Sequence, residues 1–180
     1  MALTEKQRGV LAGMAVGATA TVAGIFAAAW WQPPALVPAD SPLGRAAFVA
    51  AWDLLVVFWL LAGIGTLARH RFFTPQDIDG AGLGANSDRA HVLQSVLQNT
   101  LEQTVLAIAV HAAWAALMPV GLLAVIPVAA VLFFAGRLLF VLGYAKGAPH
   151  RAAGFAATFY PSVLMFAILA VALATGHAGG

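Results

Sequence analysis

The chain has 180 residues, of which 62% are apolar and 9% charged, with a formal charge of +2 and no cysteine. Soluble domains carry charge on about a quarter of their residues, so this chain has too little polar surface to cover a water-soluble globule and reads as an integral membrane protein. The missing cysteine excludes disulfides, thiolate metal sites and a cysteine nucleophile, and no basic run resembles a nucleic-acid patch.

Five apolar stretches, near 9–31, 45–68, 90–118, 120–145 and 152–175, each reach the roughly 20 residues that cross a bilayer. They are continuous, rich in Ala and Leu, and lack period-2 alternation, so they are expected as helices. The first has the basic start of a leader peptide and "AAA" at 27–29. Its apolar run is longer than the core of a usual leader, which predicts a retained span. Gly9, Gly13 and Gly17 recur every fourth residue, a spacing that admits another helix closely and that a composition rich in Ala and Gly also yields. Trp30 and Trp31 end this stretch where an interfacial aromatic belt belongs. "QPPALVPADSPLG" follows, with four prolines, and reads as an irregular loop.

The second stretch carries Asp53 in "AAWDLLVVFW", about 12 Å from its outer end, where a polar clasp with the first helix is expected. It closes on Arg69 and Arg71 and leads into the longest polar connection, "RHRFFTPQDIDGAGLGANSDR". The third stretch opens with Ser87 or Asp88 as cap. His91, Gln94, Ser95, Gln98, Asn99 and Glu102 fall within about 140° of its circumference. Such a stripe is expected to face other helices, another subunit or a wet crevice, away from lipid.

The fourth stretch, after the turn "MPVG", holds one cation, Arg137, with Tyr144 two turns later. Counted outward from the turn, Glu102 and Arg137 lie at equal depth, about 25 Å. An ion pair between them is therefore expected, since an unpaired charge in a span is costly. Pro127 is expected to kink this helix. Beyond the turn "KGAPHR", Arg151 opens the fifth stretch. Asn99, Glu102, Arg137, Tyr144, Arg151 and Arg69 are then expected to converge on one basic crevice suited to an anion.

Lys6, Arg8, Arg69, Arg71, Arg89, Lys146 and Arg151 flank one side of the spans, and only Arg45 the other. The positive-inside rule predicts a cytoplasmic N-terminus and an external C-terminus, as expected in a bacterial inner membrane. The five histidines show no metal-ligand spacing, and no phosphate loop or nucleophile elbow is present. A carrier would need charges along a continuous path, and the offset of Asp53 from the Glu102 layer argues against one.

Together these residues resemble the MAPEG proteins, the membrane-associated proteins of eicosanoid and glutathione metabolism. "LVVFWLLAGIGTLARHRFFTPQD" is similar to the family's first helix, basic pair and P-x-D loop. "QNTLE" matches its N-x-x-E, "RLLFVLGY" its R-x6-Y and "APHRAAGF" the arginine before its last helix. The resemblance implies an all-α integral membrane fold: a four-helix bundle over 41–180, with residues 1–40 adding one N-terminal transmembrane helix and a Pro-rich loop. It also implies a homotrimer among membrane lipids that binds glutathione, or another low-molecular-weight thiol, at the cytoplasmic leaflet and, as a transferase or peroxidase, conjugates it to or reduces a lipophilic electrophile. By that likeness Arg69, Asn99, Glu102, Tyr144 and Arg151 would hold the thiol. Arg151 and Asp77 would be catalytic, and Arg137 would be the arginine paired within the bundle. Gln98, Phe140, Ala152 and Phe155 depart from the arginine, histidine, serine and tyrosine of the prostaglandin synthase branch. That makes prostaglandin synthesis improbable and leaves a non-catalytic membrane scaffold or partner-binding protein as the alternative.

Overall fold

The computed structural model describes residues 2–80 and 86–176; residues 81–85 of the polar connection, and His177, lie outside them. Five helices follow in chain order: α1 (Glu5–Trp31), α2 (Pro42–Phe73), α3 (Asp88–Leu117), α4 (Val125–Tyr144) and α5 (Ala148–Ala174). No strand occurs among the described residues, and all five helices are long and apolar enough to cross a membrane. The 32 residues of α2 reach about 48 Å. That exceeds the hydrocarbon thickness of roughly 30 Å, so one end of α2 emerges into the headgroup region.

Local chemistry sets the helix ends. Thr4 and Gln7 form a reciprocal capping box at α1, and the hydroxyls of Ser41 and Ser87 accept from Gly44 N and Ala90 N, each satisfying an orphan amide. Residues Val120–Ala124 form a 3₁₀ turn before α4 begins at Val125. Pro127 therefore sits in the first turn of α4, where its missing N–H breaks no helix bond. The proline thus lies at the opening of α4 and not in its middle. Gly147 turns the chain into α5 at φ 102°, a conformation that favours glycine.

α2 packs on α3 and α4, while α5 packs on α4, α3 and α1. Arg45 against Ala115, Asp53 against His111, Gly63 against Leu97 and Arg71 against Gln94 define an antiparallel α2–α3 register. α1 lies outside this four-helix unit, along α5 and α4. Its glycine spacing is used for close approach. A Cβ on Gly9 would fall 2.9 Å from Pro149 Cβ, on Gly13 2.8 Å from Ala152 Cβ, and on Gly17 2.4 Å from Ala156 Cβ.

A core of Trp114, Leu123, Ile126, Ala129, Met165 and Leu169 closes the end that bears the α1–α2 and α3–α4 connections. Leu54, Leu61, Phe166 and Val171 stay exposed on the perimeter, as expected where acyl chains replace water. Trp30 and Trp31 are 92% and 77% exposed at the end of α1, at the level of an aromatic belt.

Candidate functional site

The buried cation of the bundle is Arg137, with 0% of its surface exposed. One terminal nitrogen donates to Asn99 Oδ1 at 2.9 Å and Thr100 Oγ1 at 3.4 Å; the other donates to Thr158 Oγ1 at 2.8 Å. Its guanidinium carbon lies 4.2 Å from the Phe140 ring centroid and 5.9 Å from that of Phe133. Neutral oxygens and aromatic faces thus surround the charge, and Nε has no hydrogen-bond partner among the described residues.

The expected Glu102–Arg137 ion pair is not formed. Glu102 is exposed and accepts from Gln98 Nε2 at 3.0 Å. Counting residues fixed the depth of the two groups but not their bearing. Three residues separate Asn99 from Glu102, an offset of about 60° around the helix, and that carries the carboxylate out of the interior. The buried face of α3 instead holds Thr100, Gln103, Thr104 and His111, while Ser95, Gln98 and Glu102 face outward from the single chain.

At the end of the bundle bearing the α2–α3 and α4–α5 connections, Arg151 stacks on Tyr144, its guanidinium carbon 4.2 Å from the ring centroid. Tyr144 meets Phe140 edge-on at 5.3 Å, and Phe140 lies 6.4 Å from Phe155. Seven residues separate Arg137 from Tyr144, so both share a face of α4, and Phe140 fills the gap between them. The arrangement is a ladder of rings with a guanidinium against each end. Among the described residues no carboxylate pairs with Arg151. Phe140 and Phe155 offer no hydrogen-bond donor, and neither does Ala152, which is buried against Gly13 of α1.

Arg69 stands apart from this ladder. It is exposed and lines a groove of about 490 Å³ between α2 and α3, with Thr66, His70, Arg89 and Leu93. No hydrogen bond or ion pair joins it to Arg151 or Tyr144 among the described residues. The single crevice expected from the sequence is therefore two places in one chain: the run from the Arg137–Asn99–Thr158 layer through Phe140 to Tyr144 and Arg151, and the Arg69–Arg89 groove. Basic residues at a shared depth converge only if they also share a side, and α2 lies across the bundle from α5.

Asp77 is fully buried in a 3₁₀ turn, Pro75–Asp77. Its Oδ1 accepts from Ser87 N at 2.8 Å, and its Oδ2 accepts from Ser87 Oγ at 2.7 Å and His70 Nε2 at 2.9 Å. Those bonds, with the Ser87 hydroxyl contributing most, hold its carboxyl below the ordinary range against the opposing effect of burial. Both oxygens are occupied in tying the polar connection to the cap of α3 and the end of α2.

Asp53 meets an unexpected partner. His111 Nδ1 donates to Asp53 Oδ1 at 2.6 Å, with the two residues 1% and 7% exposed. The clasp reaches α3 and not α1. His111 was legible only as a histidine without metal spacing; the missed signal is one buried donor and one buried acceptor at matching levels of an antiparallel pair.

The sequence model of the MAPEG family matches residues 46–171. α1 precedes the matched segment, which begins in the first turns of α2 and ends within α5. No curated protein and no solved structure matches the chain.

Proposed function

The chain belongs to the MAPEG family, and from that membership we propose that it binds a thiol of the glutathione type beside Arg151 and joins it to a lipophilic electrophile drawn from the bilayer. The observation that carries this reading is the Arg151–Tyr144 stack. A guanidinium without a carboxylate, held over a ring at the polar end of the spans, suits an anion. Bound glutathione would supply the nucleophilic sulfur that a chain without cysteine lacks.

The chain's own residues divide the remaining work. Arg151 favours the charged form of a nearby thiol, as a cation does for any thiolate. Tyr144 restrains the guanidinium, and the Phe140 and Phe155 rings exclude water from the space beneath it. Arg137, bonded to Asn99 and Thr158, acts through these neighbours by fixing α3, α4 and α5 at one level. Asp77, with both oxygens engaged, is a positioning residue of the connection in this reading.

The outward Gln98–Glu102 pair supports a homotrimer. A carboxylate on the surface of a span is stable against a neighbouring subunit or water, and costly against lipid. Arg69, on the far side of the chain, would then reach the thiol site of an adjacent copy. The positive-inside rule supports a cytoplasmic basic side, and with it residence in a bacterial inner membrane.

A second reading, a non-catalytic scaffold, draws on the purely structural bonds of Arg137 to Asn99 and Thr158 and on the donor-free rings at Phe140 and Phe155. Titration of glutathione into purified protein, with Arg151→Ala alongside, separates the two. The enzyme reading expects binding that this substitution weakens by about ten-fold or more; the scaffold expects none.

A further inference from the structure

At the end of the bundle opposite Arg151, the α2–α3 pair encloses a groove of about 860 Å³. Its walls are apolar, with Leu54, Val57, Ile108 and Ala112 among them, and one acid within the span, Asp53, opens into it. Asp53 is 7% exposed, a sunken carboxylate. His111 holds Oδ1 from behind, and Oδ2 has no hydrogen bond among the described residues. The mouth adds Asp40 and the carbonyl end of α3. The cation there, Arg45, is bound to Asp40 at 2.7 Å and to the carbonyls of Ala115 and Met118 at 2.9 and 2.8 Å. Two carboxylates thus line the groove beside one guanidinium already committed to Asp40 and to backbone carbonyls, and a carboxylate facing hydrocarbon calls for a counter-charge.

We propose that this groove binds a lipophilic cation, an organic ammonium or phosphonium. Its charge meets Asp53 Oδ2 and its apolar body lies along Leu54, Val57 and Ile108. The volume falls within the range of small-molecule sites, which pair apolar walls with a few placed polar groups. The inference is independent of thiol binding, because it uses the other end of the bundle and none of the same residues.

The test is equilibrium dialysis of the full chain in lipid nanodiscs against tetraphenylphosphonium, with the isosteric anion tetraphenylborate as control and empty discs subtracted. Saturable binding is expected, with the cation preferred by about ten-fold or more. Asp53→Asn and Ala112→Phe, the latter filling the groove from an exposed wall position, are each expected to weaken cation binding to a similar degree. Should Asp53→Asn fail to fold, judged by its circular dichroism melt, Ala112→Phe decides. Several results overturn the proposal: no saturable binding, equal binding of cation and anion, or binding unaffected by Ala112→Phe. A changed subunit count in that variant without cation binding does the same, since the groove is then a contact between copies.

Discussion

Arg137 of α4 and Asn99 of α3 meet at 2.9 Å, and through this bond, with Thr158 on the other side of the guanidinium, three helices are fixed at one level inside the bundle. Glu102, one turn from Asn99, takes no part. Removing either neutral acceptor strands a buried charge. Asn99→Leu and Thr158→Val are therefore each expected to destabilise the fold by about 1.5–3 kcal/mol, the range for a hydrogen bond to a charged group. Glu102→Gln is expected to leave helical content unchanged while lowering the subunit count. Thermal unfolding followed by circular dichroism, beside native mass spectrometry in detergent, reads both effects.

The contact of α1 with α5 rests on absent side chains. Gly17→Leu places atoms where a Cβ alone would already lie 2.4 Å from Ala156 Cβ, and overpacking of this kind costs about 1–3 kcal/mol. Gly65, with nothing within 4 Å of an added Cβ, is the control: Gly65→Ala is expected to be neutral or slightly stabilising. Thermal unfolding followed by circular dichroism reads both effects.

Asp77 gives the tie between α2 and α3 a pH dependence of known sign. Its carboxyl titrates below the ordinary range because Ser87 and His70 donate to the charged form. The stability it contributes is then complete above the unfolded value of about 3.9 and disappears as pH falls through the lower folded value. Parent and Asp77→Asn proteins are expected to differ in melting temperature at pH 6. The gap is expected to close progressively on acidification below about pH 4.

Arg45 closes the opposite end by donating to the carbonyls of Ala115 and Met118, where a cation meets the negative terminus of α3. Arg45→Leu is expected to fray the last turn of α3, seen as faster amide exchange at Leu117 and Met118. Arg45→Lys is expected to recover only part of the protection, because one ammonium does not reproduce the planar fork.

How far these features could be read from the residues follows from what each signal measures. Apolar run length located all five helices, Ser87 was one of the two caps offered for α3, and the resemblance in "QNTLE" and "RLLFVLGY" led to the family that residues 46–171 match. The Gly9, Gly13 and Gly17 spacing pointed to a close contact, though not to α5 as its partner. Depth counting placed Arg137 among the right turns of α3 but could not say which side of α3 it would meet. It chose the charged Glu102 over the neutral Asn99 and overlooked Thr158, because a threonine in an apolar helix carries no visible charge. Asp53–His111 escaped for a related reason: pairing across helices depends on the packing register, which no local pattern encodes. The separation of Arg69 from Arg151 likewise depends on the order of helices around the bundle.

The central claim is that Arg151, laid on Tyr144, charges a bound thiol. It is tested most directly by the ultraviolet absorbance of glutathione thiolate on mixing with the purified protein at neutral pH. A saturable thiolate signal is predicted for the parent chain, lost in Arg151→Ala while helical content stays the same. No thiolate signal at roughly millimolar glutathione, or an equal signal in Arg151→Ala, would contradict it.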